Sequence, residues 1–116
     1  MSNYATRVMG FEIGGDYGDE QIQEFWASAT VESLKTARED DMSGNGHIYW
    51  TVEETAIFTV ADQMKSVYES AMYDLLDSFS QPSLWHDLLT QSVQEIDWVQ
   101  LATGLVDAAI EEEEIA

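Results

Sequence analysis

The sequence predicts a mainly helical α+β domain, with three or four helices packed around one long central helix and up to two short strands. Three observations carry this. From Val52 to Phe79 the apolar residues Ile57, Val60, Ala61, Met64, Val67, Tyr68, Ala71, Met72, Leu75, Leu76 and Phe79 repeat at the spacing of one helix face. Shorter patterns of the same period precede and follow it. Residues 4–13 and 47–51 instead resemble strands. At 116 residues and 45% hydrophobic composition the chain reads as a single domain, 1–116, with a real core.

In chain order, Met9, Phe11 and Ile13 alternate in 4–13 as in a short strand, and residues 14–18 are a Gly-rich turn. Asp19 is placed to cap a helix running to about Arg38, with Ile22, Phe25, Trp26, Ala29 and Leu34 facing inward. Residues 39–46 read as a polar loop, and 47–51 as a short strand or part of that loop. Thr51 and Glu54 form the pattern of a capping box at the start of the long helix. Gln81-Pro82 ends it. Its polar face carries Asp62, Lys65, Glu69, Tyr73, Asp74 and Asp77. Beyond Pro82, one helical pattern contains Leu84, Trp85, Leu88, Leu89 and Val93. A second contains Ile96, Val99, Leu101, Ala102, Leu105, Val106, Ala109 and Ile110. Asp97 with Gln100 can cap a break between these two, or they can run on as one helix. Gly104 costs about 1 kcal/mol of helix stability relative to Ala, and such a glycine often permits close packing. The expected core is Met64, Tyr68, Met72, Leu75, Trp85, Trp98 and Leu105, with Trp26 and Trp50 also read as core.

Charge is the chemical anomaly. Twenty-three acids against four Lys and Arg give a net charge of −19. Such a chain repels itself. It also repels nucleic acid and anionic membranes, which makes basic proteins or cations its natural partners. There is no cysteine, hence no disulfide framework or thiolate metal site. No apolar run reaches membrane-spanning length, and the first ten residues lack the apolar core of a signal peptide. A cytoplasmic protein is expected, in the host cell cytoplasm if the chain is phage-encoded. A homodimer is compatible with the composition.

No motif for catalysis stands out. His47 and His86 lie far apart in sequence, and chance carboxylate pairs are expected among so many acids. There is no nucleophile elbow and no phosphate-binding glycine loop. The expectation is a non-enzyme without a cofactor. One loop resembles the EF-hand family over about a dozen residues: Asp41, Ser43, Asn45, Gly46 and Ile48 match its first, third, fifth, sixth and eighth positions. Val52 stands where the bidentate Glu is required, so the metal expectation is none. A calcium-responsive or generic acidic interaction module, with Asp41, Ser43 and Asn45 as its weak loop, is the alternative function.

Past Lys65 there is no Lys or Arg, and the run Glu111, Glu112, Glu113, Glu114 stands just before the last two residues. If the molecule is roughly 40 Å long, its charge averages near one per 2 Å, close to the one per about 1.7 Å of duplex DNA. In size, helix content and acidic tail the chain resembles phage- and plasmid-encoded DNA mimics, the Ocr-type antirestriction and anti-CRISPR-like proteins. The resemblance is one of composition. It implies an inhibitor that occupies the basic DNA-binding groove of a host nucleic-acid-processing protein. The residues expected to contact that partner are Asp62, Glu69, Tyr73, Asp74, Asp77, Asp87, Glu95, Asp97, Asp107 and Glu111 to Glu114.

Overall fold

Asn3 starts a helix where the pattern suggested a strand. The computed structural model describes residues 3–14, 20–44, 49–77 and 84–115; in the helices the side chains of Leu76, Leu84, Trp85, His86, Leu89, Glu114 and Ile115 are outside that description. In α1 (Tyr4–Ile13), the Asn3 side chain accepts a hydrogen bond from the Thr6 backbone N–H at 2.8 Å. The alternation of Met9, Phe11 and Ile13 coincides with a helical spacing of Thr6, Met9 and Ile13. Thr6 and Ile13 are buried, and Phe11 is exposed. A short apolar run is ambiguous between the two periods, and here the cap and the packing select the helix. Residues 49–51 form no strand, and 47–48 lie outside the described residues. Among the described residues there is no strand, so the protein is all-α, with five helices, rather than α+β.

Helix α2 (Glu20–Met42) runs one turn beyond Arg38. Gly44 sets its stop with φ of +83°, the left-handed region that favours glycine. The Ser43 and Gly44 N–H groups donate to the Glu39 and Asp41 carbonyls at 3.0 and 3.2 Å. The expected cap Asp19 lies outside the described residues. Helix α3 (Val52–Asp77) opens on the capping box: the Thr51 N–H donates to Glu54 Oε1 and the Glu54 N–H to Thr51 Oγ1, each at 3.1 Å. Its predicted end at Phe79 and stop at Gln81-Pro82 fall outside the described residues.

α4 (Leu84–Gln94) and α5 (Trp98–Ile115) are separate helices. The break is made by Asp97, whose carboxylate accepts from the Gln100 N–H at 3.0 Å. Buried Thr6 of α1 reaches the same turn, its hydroxyl accepting from the Asp97 N–H at 2.8 Å. The Asn3 side-chain amide donates to the Glu95 carbonyl. These bonds give partners to backbone groups that a helix break would otherwise strand.

α2, α3 and α5 form the central bundle, α3 antiparallel to the other two. Two layers of core show this direction. In one, Trp26 of α2, Val60, Ala61 and Met64 of α3, and Trp98 and Ala102 of α5 pack together with Ile13. In the other, Leu34, Ala56, Val106 and Ala109 meet. Of the expected core, Met64, Met72 and Trp98 are buried, and Tyr68 and Leu105 are half-buried. Leu75 and Phe25 are more than half exposed, and Trp50 is 42% exposed against Phe58. The Trp85 side chain lies outside the described ones. Gly104 needs no close neighbour, since a methyl group there would meet nothing within 4 Å. The molecule measures 52 × 31 × 27 Å with a radius of gyration of 16.1 Å. A sphere-like chain of this length would give about 13 Å, so it is a short rod. Among the described residues no helix is long and apolar enough to cross a membrane.

Candidate functional site

The antiparallel run of α3 against α5 decides which of the predicted acids can act together. Asp62, Glu69, Tyr73 and Asp77 fall at i, i+7, i+11 and i+15 on α3, one face of that helix; Asp74 lies beside them. Glu69 is half-buried, and the others are exposed. The C-terminal half of α3 lies beside the start of α5, near Glu95 and Asp97. Asp107, Glu111, Glu112 and Glu113 are exposed at the far end of α5; the Glu114 side chain lies outside the described ones. Asp87 is exposed on α4. The predicted contact set is therefore divided between the two ends of the rod and does not form one continuous surface.

Two of its members are also engaged inside the fold. Asp97 caps α5, and with Asp62 and Lys65 it lines one groove between α3 and the α4–α5 turn, so this part of the surface is not free of cations. Glu113 holds Arg38 of α2 through two bonds, Nη1 to Oε1 at 3.0 Å and Nη2 to Oε2 at 2.8 Å. The bidentate bond holds the Glu113 carboxyl below the ordinary carboxylate range and raises the Arg38 guanidinium above its own, with Glu53 adding a smaller pull on Arg38. Glu113 points this way because it extends the buried series Ala102, Val106, Ala109 by one turn.

That ion pair joins the C-terminal ends of α2 and α5, with the start of α3 alongside. The sequence reading missed what gathers there. Glu39, Asp40 and Asp41 stand in the last turn of α2, and Glu53 and Glu54 in the first turn of α3. Together with Glu111 and Glu112 they make an acidic end in which Arg38 is already paired. They were overlooked because they belong to the half of the chain that contains the Lys and Arg residues. The helical spacing of Leu34 to Arg38 and of Ala109 to Glu113, read together, was the available signal. The acids at the start of α3 favour its positive dipole end, whereas those closing α2 and α5 sit at negative dipole ends. None of the five described helices carries a base in its last turn.

Of the matched residues of the EF-hand-like loop, the structure describes Asp41 and Ser43. Asp41 belongs to the last turn of α2, and the Ser43 hydroxyl donates to the Asp40 carbonyl at 3.0 Å. Asn45, Gly46 and Ile48 lie outside the described residues. Among the described residues no three His, Cys, Asp or Glu side chains come together as a metal site.

Toward the opposite end an aromatic layer joins the helices, beneath a surface that still carries Asp62, Glu69 and Asp97. Trp26 Nε1 donates to the Tyr68 hydroxyl at 3.1 Å, and the Tyr68 ring stacks on Trp98 with centroids 5.8 Å apart and planes 9° apart. Burial pushes the Tyr68 hydroxyl above its ordinary pKa, against a smaller opposing effect of the Trp26 bond. Comparison of the chain with protein families, with curated proteins and with solved structures finds no match.

Proposed function

We propose that the protein is a non-enzymatic acidic inhibitor, which competes with DNA for the basic groove of a DNA-binding protein. The observation that carries this reading is the acidic end formed by Glu39, Asp40, Asp41, Glu53, Glu54, Glu111 and Glu112. Acids at the negative ends of α2 and α5 cost the fold on the order of 0.3–1 kcal/mol each. A basic partner turns that internal cost into attraction. The carboxylates take the place of phosphates and meet Lys and Arg side chains, and no bond is made or broken. Long-range attraction speeds encounter, and salt weakens it.

The charge density sets how far the likeness to DNA extends. A net charge of −19 spread over 52 Å is one charge per about 2.7 Å, against about 1.7 Å in duplex DNA. The average is sparser than the sequence estimate, so mimicry depends on local concentration at the acidic end. The α3 face of Asp62, Glu69, Tyr73 and Asp77, with Asp74 off to one side, extends the negative field along the rod.

The test is capture from a bacterial lysate at low salt on immobilised protein, followed by elution with duplex DNA. A DNA-binding protein released by DNA and by moderate NaCl is expected. Neutralising Asp40, Asp41, Glu111 and Glu112 to their amides is expected to abolish capture. Captured proteins that ignore duplex DNA, or that bind the amide variant equally well, would refute competition by this end. Whether the target is a restriction enzyme, a CRISPR effector, a repressor or a nucleoid protein follows from what DNA elutes.

A further inference from the structure

Phe25 was expected in the core, yet it stands 59% exposed, and Val67 across from it on α3 is 48% exposed. They flank the mouth of an apolar groove between α2 and α3, floored by Trp26 and Ala29 and edged by Asp62. Trp26 holds the Phe25 ring edge-on, with centroids 5.0 Å apart and planes at 85°, so the ring is positioned before any partner arrives. The groove continues along the same seam in both directions. Toward the start of α2 it reaches Gln21 and Tyr68, and toward the end of α2 it reaches Glu32, Asp40 and Thr55. From Gln21 to Asp40 this is about 28 Å at the helical rise. The charged side chains lining it are Asp62, Glu32 and Asp40, all acidic.

We propose that this furrow is a docking site for a basic amphipathic helix of a partner protein. The helix sets an apolar side chain between Phe25 and Val67 and directs Lys or Arg toward Asp62, Glu32 and Asp40. Two antiparallel helices present a long groove that the side-chain ridge of another helix fits, and α5 already fills the other side of the α2–α3 pair. Charge selects the occupant. A second copy of this chain brings another −19 to an acidic rim, whereas a basic helix gains from the same field. The furrow centres on Phe25, Trp26 and Val67, meets the acidic end only at Asp40, and its occupation does not depend on competition with DNA.

The probe is a synthetic peptide of about 18 residues with Leu on one helical face and Lys on the other, titrated into the full chain and followed by amide NMR shifts. Shifts concentrated on Ala29, Ser66 and Val67 and their neighbours are expected. Val67→Glu separates docking from mere charge attraction, because it makes the protein more acidic while placing a charge in the groove. It is expected to weaken binding about tenfold, and Phe25→Ala severalfold. Leu88→Glu, at an exposed apolar site on α4, is expected to leave affinity within about twofold. All three positions are about half exposed, and thermal melts check that each variant folds. Unchanged or tighter binding by Val67→Glu and Phe25→Ala, or shifts centred on Glu53, Glu111 and Glu112 with none at Ala29, Ser66 and Val67, would overturn the proposal. So would concentration-dependent self-association of the wild type that Val67→Glu abolishes, since it would give the furrow to a second copy.

Discussion

The two ends of the rod differ in what packs between their helices. At one, Trp26, Tyr68 and Trp98 form a stacked and hydrogen-bonded aromatic layer, with Ile13 and Met64 closing around it. At the other, the core narrows to Leu34, Ala56, Val106 and Ala109, and the ends of α2 and α5 are tied by one exposed ion pair. Packing is thus concentrated toward one end, whereas acids stand at both, with Asp74, Asp77, Glu95 and Asp97 exposed toward the aromatic one. The aromatic layer supplies packing that does not depend on ionic strength. The acidic end can then carry uncompensated carboxylates whose mutual repulsion would be harder to bear if stability depended on that end.

The largest test removes the aromatic anchor. Trp26→Ala is expected to cost about 3–5 kcal/mol, measured by urea unfolding, with little dependence on NaCl. A loss below 1 kcal/mol would mean that cohesion lies elsewhere. The Trp26–Tyr68 bond is a smaller part of it. Tyr68→Phe leaves the Trp26 N–H without its acceptor and is expected to cost about 1 kcal/mol. Tyr68 also sets an alkaline limit. Its folded pKa is raised, so the stability it contributes is complete below the ordinary tyrosine value and is lost as pH rises through the folded value. Absorbance titration near 295 nm should show one tyrosine ionising later than the others in wild type and not in Tyr68→Phe.

The same contrast explains what the sequence could disclose. The long helix as far as Asp77 and its Thr51–Glu54 cap are local chemistry and appear as the residues indicate; at Asp97 the sequence leaves a break or one continuous helix open, and the structure shows the break. α1 reads as a strand because Met9 and Ile13 satisfy both periods; Phe11 fits only the strand, and the Asn3 cap and the contact of Thr6 with the Asp97 turn decide for the helix. Phe25 and Leu75 match an inward stripe by spacing but sit at its edge, and the width of a helix's buried face depends on its neighbours. The acidic end was illegible for a related reason: Glu39 to Asp41 and Glu111 to Glu112 are far apart in sequence. They meet only because α2 and α5 run parallel.

Two glycines sharpen the comparison at the level of about 1 kcal/mol. Gly104 lies in mid-helix with open space around it, so Gly104→Ala is expected to stabilise by about 1 kcal/mol. Gly44 ends α2 beside the acidic cluster with φ of +83°, and Gly44→Ala is expected to destabilise by about 1 kcal/mol, since a Cβ strains that conformation. Opposite signs in parallel thermal melts are the expected outcome. A stabilising Gly44→Ala would mean that the turn relaxes freely.

The smallest effect belongs to the ion pair, and it is the one that isolates the acidic end. Arg38 and Glu113 are both substantially exposed, so their coupling is modest and screened by salt. A double-mutant cycle of Arg38→Gln and Glu113→Gln extracts it from the general repulsion, because the Arg38 change alone also raises the net negative charge. The Glu113 carboxyl titrates below the ordinary range when folded, owing to its bond with Arg38. Its contribution to stability is therefore present above the unfolded-state carboxylate value and is lost as pH falls through the lower folded value. The cycle should show favourable coupling at pH 7 that vanishes in strong acid and shrinks in molar NaCl. Wild-type stability should meanwhile rise from low to moderate NaCl, as repulsion among the remaining carboxylates is screened. Coupling that persists unchanged into strong acid, or a wild type that loses stability with added salt, would show that the acidic end is not under the electrostatic load described above.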